Sequence, residues 1–492
     1  MSQSEKKVCY FTLDGTQFLG ELLLEGEHSH LTLSSRNEVP YSPEPHSLYG
    51  ESLDHKKISL HDCVGEPSSP EGIYPNFIFK RQSFPHYAVI GNRHVTKSEK
   101  IFSAVSFQTD DFGLIFSPRD TFGSVSPPPL EFKGILENSY PSRKVDVGKN
   151  PAIFFFSGVP EHAPVDVGIG RFSVDFDFRA NVSGHAGIQC PSVVTAVLEF
   201  DKLKSLDELL DDVIALSLFF TVAAGRYQGV NNISATIGSV DSSKVTGEKV
   251  SVHWSYAPLS SALEASNLKD VPITPEENRI EFYTVFQRWM SRHRDWLPAR
   301  LRVINWQKNG RTYDENRLVA AANAFDILPD STYPDVGELS KSAKEAKEKC
   351  KKIIRELDDG PEKNHISGTL AFWGGRSLKL KILSRSSVVR DVLGEEFPDI
   401  DVVLTTAVLT RNYFVHGTNK FGYENYENLL SFFTDTLEFV FVASDLIDCG
   451  WDAKRWAACR PGSSHPLADF YRSYKHQMPE FNLAKANAEK RG

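Results

Sequence analysis

The chain has 492 residues, 40% of them hydrophobic and 24% charged, which fits a globular protein of two or three domains. A formal net charge of -9 argues against nucleic-acid binding by bulk electrostatics, although a short basic surface can still hold one phosphate. The six cysteines, Cys9, Cys63, Cys190, Cys350, Cys449 and Cys459, form no CxxC pair; this argues against a disulfide framework and a thiolate zinc site and fits a reducing compartment.

The N-terminal stretch MSQSEKKVCYFTLDG lacks the apolar run of a signal peptide, and no run of 18 apolar residues occurs anywhere. A cytoplasmic location without a membrane span is therefore expected. Residues 1 to about 275 read as mainly β. GELLLEGEHSHLTLSS gives two short strands around a charged turn, and AIFFFSGV a further one. In GRFSVDFDFRANVSG, Phe172, Val174, Phe176 and Phe178 alternate with polar neighbours, the period of a half-buried strand. VGEPSSPEG and SPRDTFGSVSPPP read as loops. Near residue 203 the spacing turns helical: Leu206, Leu209, Leu210, Val213, Leu216 and Leu218 crowd one side, with Ser205 as the expected N-cap.

From about residue 283 the chain reads as helical. RIEFYTVFQRWMSRHRDWLPARLRVINW is one segment with a break expected at Pro298. In RTYDENRLVAAANAFDIL, Thr312 and Glu315 fit a capping box ahead of Leu318, Val319, Ala322, Phe325 and Leu328. SAKEAKEKCKKIIRELDD, LKLKILSRSSVVRDVLG, DIDVVLTTAVLTRNYFVHG and NYENLLSFFTDTLEFVFVASDLIDCGW follow, and a bundle is expected. Residues after about 480 are expected to be loosely held. The fold class is thus α+β and multidomain, with a β-rich region over 1–280, including the helical segment near 203–225, and an all-α region over 283–480.

The helix beginning near Ile400 ends in RNYFVHG. Asn412 and His416 are four apart and share a face. Arg411 and His416 are five apart, roughly 140° around the axis, an awkward separation for a rigid pair. Gly417 suits the helix end. Arginine offers a donor fork that matches phosphate oxygens, histidine moves protons near neutral pH, and asparagine can orient either. The set suits metal-free phosphoryl transfer on RNA, in which the 2′-OH attacks the adjacent phosphate to leave a 2′,3′-cyclic phosphate and a 5′-OH; DNA lacks that nucleophile. An Arg-x4-His spacing also arises by chance, with Asn412 and Gly417 serving only the helix end.

RNYFVHG resembles the Arg-x4-6-His signature of HEPN ribonucleases. ENRLVAAANAFDIL resembles the first core helix of the HEPN domain in ApeA-like proteins, and YENLLSFFTDTLEFVFVASDLIDCGW its last. The β-rich first half resembles the N-terminal domain fused to that HEPN domain. The resemblance implies a C-terminal HEPN helical bundle and an anti-phage defence endoribonuclease acting on cellular RNA, with tRNA a candidate target. It also implies a homodimer or higher homo-oligomer, with the motif helices facing each other and the arginine and histidine working across the interface. Arg411, Asn412 and His416 match the motif residue by residue, with no cofactor and no metal. The N-terminal domain would sense a phage-derived trigger or restrain the nuclease.

Further candidates carry weaker signals. Glu315, Asn316 and Arg317 in the first turn of their helix could reach the cleft, against a plain capping role for Glu315 and a solvated or salt-bridged Arg317. Lys344, Lys351 and Lys352, with the other bases of residues 341–355, could guide an RNA backbone, or form only a solubilising face. His28 and His30 read as a chance surface pair, and Asp448 and Asp452 lack further ligands at metal spacing. AFWGGRSLKL has no P-loop pattern. The competing function is a noncatalytic HEPN-like module that binds RNA, a nucleotide or a protein, Arg411 holding phosphate while His416 moves no proton.

Overall fold

The computed structural model describes residues 5–491 apart from 74–75, 117–121, 143, 145, 159–162, 179–180, 184–186, 190–191, 239–246, 306–309, 335–339, 372–375 and 418–420. The chain divides into two compact units. The first comprises Met1–Ser217, Gln228–Ser261 and Thr274–Tyr283, the second Leu218–Tyr227, Ala262–Ile273 and Thr284–Gly492.

The first unit holds, among the described residues, a 14-stranded antiparallel sheet. From edge to edge its strands are Val165–Asp166, Arg171–Phe178, Ser192–Lys204, Phe102–Thr109, Val230–Gly238, Gly247–Trp254, Tyr87–Gly91, Lys57–Gly65, His46–Ser52, Glu5–Leu13, Thr16–Leu24, His30–Ser35, Asn76–Phe84 and Ser69–Ile73. Lys57–Gly65 also pairs with Asn76–Phe84 through Val64↔Phe84 and Gly65↔Ser83. That second pairing closes a ring of six strands. The alternation of apolar residues along them places Phe11, Phe18, Leu22, Leu31, Leu33, Leu48, Ile58 and Leu60 in one buried core. Phe172 and Val174 are buried as their alternation predicts. Part of the expected loop VGEPSSPEG is instead the strand Ser69–Ile73; it lies at the sheet edge, where Pro70 leaves no ladder donor missing. In the second expected loop, Phe122–Val125 pairs with Ile153–Phe156; residues 117–121 lie outside the described residues.

Helices α1 (Phe112–Phe116), α2 (Pro129–Ser139) and α3 (Leu206–Ala224) interrupt the strands. α3 opens with a full capping box: the Glu208 N–H donates to Ser205 Oγ and the Ser205 N–H to Glu208 Oε2.

From α4 (Arg279–Ser291) the chain is helical: α5 (His293–Ile304), α6 (Glu315–Asp326), α7 (Lys341–Arg355), α8 (Pro361–Ala371), α9 (Leu378–Leu393), α10 (Ile400–His416), α11 (Leu430–Cys449), α12 (Ala453–Ala458) and α13 (Pro466–Arg491). α11 is apolar on nearly every side and packs against α6, α9, α10 and α13, which makes it the centre of the bundle. The break expected at Pro298 falls at Arg292 instead, and Pro298 lies inside α5. Thr312 does not cap α6; Asp314 does, its carboxylate accepting from the Arg317 N–H at 2.8 Å. Residues after 480 are not loose: α13 runs to Arg491, and Phe481 is fully buried with its ring against Phe432 and Phe433. The heavy charge of AKANAEKR masked that anchor in the sequence.

Candidate active site

α10 is held by one apolar side. Ile400, Val403, Leu404, Ala407 and Val408 are buried, and the hydroxyls of Thr406 and Thr410 are satisfied inside the helix by the Val402 and Thr406 carbonyls. The opposite side carries Leu409, Asn412 and His416, three and four residues apart. Gly417, at φ 62, ends the helix in the left-handed region that favours glycine, and its N–H donates to the Tyr413 carbonyl at 2.9 Å. His416 is thereby fixed in the last turn, exposed to solvent.

Three residues set the guanidinium of Arg411. Its Nη1 lies 3.1 Å from Asn412 Oδ1 and 3.4 Å from His416 Nε2. Its Nε and Nη2 both donate to Asn323 Oδ1 on α6, at 3.2 and 2.8 Å. A single chain thus joins Arg411 to His416, and the 140° separation is no obstacle: the arginine side chain, held against α6, closes the gap that the backbone angle leaves open. For Nε2 to accept from Nη1 the ring must be neutral with its proton on Nδ1. Arg411 meets no carboxylate among the described residues. Beside the motif, Tyr413 stacks on Tyr423 with centroids 4.9 Å apart, and Phe414 meets Tyr423 edge-on.

Residues 6–289 match the family model of the ApeA N-terminal domain 1, and residues 319–455 that of the Apea-like HEPN. The chain is an ApeA-like protein with a C-terminal HEPN domain. At the family level it is a HEPN-type nuclease of anti-phage defence. No curated protein and no solved structure matches the chain.

Within the HEPN domain the weaker candidates separate. Arg317 is turned away from the motif: it is 4% exposed, pairs two-pronged with Glu438 at 2.8 Å, and donates to the Gly310 and Thr312 carbonyls. It is salt-bridged and buried, not solvated, and it lines a cavity of about 640 Å³ with Tyr313, Asp435 and Glu438 that no motif residue borders. Glu315 and Asn316 are exposed at the start of α6. Glu315 does not touch Arg411; after burial and Glu427, its charge helps push the Tyr423 phenol up. Lys344, Lys351 and Lys352 lie on α7, which packs against α8, and none contacts a motif residue; Lys351 pairs with Glu348 at 2.6 Å. Among the described residues no group of three His, Cys, Asp or Glu forms a metal site, His28 and His30 included. Among the described residues no helix is long and apolar enough to cross a membrane.

Asn323 is the residue that sequence reasoning missed. The signal available for it is an amide set within AANAF, between alanines whose burial fixes its side of α6.

Proposed function

We propose that this ApeA-like chain is an endoribonuclease that cuts cellular RNA, with tRNA a candidate target, without a metal ion. One observation carries the reading: a guanidinium with no carboxylate partner among the described residues lies 3.4 Å from an imidazole at an exposed helix end. In the reaction His416 Nε2 takes the 2′-OH proton, the 2′-oxygen bonds to phosphorus, and the bond from phosphorus to the 5′-oxygen breaks. The 5′-oxygen leaves with a proton from water, and Arg411 balances the added charge on the phosphoryl oxygens. Asn412 orients the guanidinium. Two copies meet along α10, where Leu409 is 44% exposed on the face that carries Asn412 and His416. The N-terminal domain restrains the nuclease until a phage-derived trigger arrives.

The test is cleavage of total bacterial RNA by the purified full chain, triggered with lysate of phage-infected cells, in EDTA, with Arg411→Ala and His416→Ala alongside and end-group analysis of the products. Discrete cuts bearing 2′,3′-cyclic phosphate, absent from both variants, are expected. Cleavage only after a divalent metal is added overturns the metal-free chemistry. RNA binding that depends on Arg411, without cleavage by triggered wild type, favours the noncatalytic module.

A further inference from the structure

The geometry points to Asn323 as a positioning residue of this site, one that aims Arg411 while leaving its charge whole; the inference rests on the nuclease reading above. A guanidinium carries five N–H donors. Asn323 Oδ1 takes Nε–H and one hydrogen of Nη2, and the Nη1 hydrogens face Asn412 and His416. That leaves one Nη2 hydrogen with no acceptor among the described residues. The edge held by Asn323 is the pivot: when a phosphate oxygen arrives, Nη1 can exchange His416 for phosphate while Nε and Nη2 stay anchored to α6. The exchange frees the Nε2 lone pair that the proton transfer needs. Without the anchor the long side chain keeps its rotamer freedom, and arginine has much of it to lose.

The neutrality of the amide is the second half of the inference. A carboxylate at this position would reach the same two donors more strongly, because charged hydrogen bonds are roughly twice as strong as neutral ones. It would also cancel the positive charge on which phosphate binding depends. Other enclosed arginines of this unit are each held by a carboxylate: Arg292 and Arg300 share Asp445, Arg317 pairs with Glu438 and Arg385 with Asp448. Arg411 is held by an amide on a neighbouring helix instead, which gives orientation without neutralisation.

Two variants of the full chain test both halves in the RNA-cleavage assay. Asn323→Ala should lower kcat on the order of 10²-fold through misplacement of the guanidinium, with KM changed much less. Asn323→Asp should keep the hydrogen bonds and the thermal midpoint, yet fail to rescue cleavage and weaken RNA binding. A merely structural Asn323 predicts the reverse: rescue by aspartate, with any loss in the alanine variant tracking its unfolding. Full activity in Asn323→Asp, or in a folded Asn323→Ala, overturns the proposal while the nuclease reading stands. If triggered wild type and His416→Ala are equally inert, the nuclease reading falls and this one with it.

Discussion

Arg300 and Arg411 carry the same side chain in the same unit and are held in opposite ways. Arg300 is 1% exposed; its Nε and Nη2 meet Asp445 at 2.8 and 3.2 Å, its Nη1 donates to the Trp289 carbonyl, and its Cζ lies 3.7 Å from the Trp289 ring centroid. Arg292 shares Asp445, and Arg385 pairs with Asp448. This cluster ties α5 and α9 to α11. Arg411 sits at an open helix end on two amides and an imidazole. Arg300 is buried against a carboxylate and its Nε, Nη1 and Nη2 all donate within the fold, so it fixes structure. An arginine oriented by neutral groups keeps its charge for a partner that is not part of the fold.

The largest expected effects form a double dissociation. His416→Ala and Arg411→Ala should lower RNA cleavage by about 10²–10⁴-fold, the range for lost acid–base catalysis, with the melting transition unmoved. Arg300→Ala should destabilise the second unit by about 3 kcal/mol, because it leaves the buried Asp445 carboxylate to Arg292 alone and the Trp289 carbonyl without its donor. Tryptophan fluorescence reads this selectively, since Trp254 is the one tryptophan outside that unit. If Arg411→Ala melts as early as Arg300→Ala, Arg411 is structural and the contrast collapses.

A smaller effect contrasts two acids of α11. Asp445 faces two guanidinium groups. Asp435 is hydrogen-bonded by the Tyr313 hydroxyl, at 2.8 and 3.0 Å, and ion-pairs with no cation among the described residues. Burial pushes its carboxyl up to about 7. The unfolded chain loses that proton near the ordinary value, about 4. Between the two values the folded state binds more protons than the unfolded state, so stability falls as pH rises through that window. Asp435→Asn keeps an acceptor for Tyr313 and removes the titration. The variant should gain on wild type between pH 4 and pH 7 and melt higher at pH 8; parallel melting curves would show that Asp435 is ionised in the folded chain at ordinary values.

Local pattern explains how much of this was legible. The alternation of Phe172 and Val174, the Ser205 cap and the Gly417 helix end depend on neighbours within a few residues, and each is readable from the chain. Arg411, Asn412 and His416 lie within one turn and a half, so their proximity is readable too. Asn323 is 88 residues from Arg411, and only the packing of α6 against α10 joins them. The Glu438 partner of Arg317 is 121 residues away, so the sequence offered a salt bridge for Arg317 but not the acid that makes it. Non-local pairs decide which polar residue serves the site and which serves the core, and spacing along the chain does not record them.

The smallest expected effect concerns Lys344, Lys351 and Lys352. Arg411 is fixed by contacts from two helices, whereas α7 is an amphipathic helix whose exposed lysines alternate with Glu345 and Glu348. Exposed pairs such as Lys351–Glu348 contribute little, and surface substitutions away from a site usually change stability by about 0.5 kcal/mol or less. Replacing all three lysines with alanine should therefore leave melting and cleavage close to wild type. Salt titration of RNA binding is the sharper measurement, because each phosphate that the protein no longer neutralises flattens the dependence of log K on log salt by nearly one unit. An unchanged slope assigns α7 to solubility and leaves recognition to α10 and α6. A slope reduced by two or three assigns it to the RNA path, and charge free for substrate would then extend well beyond Arg411.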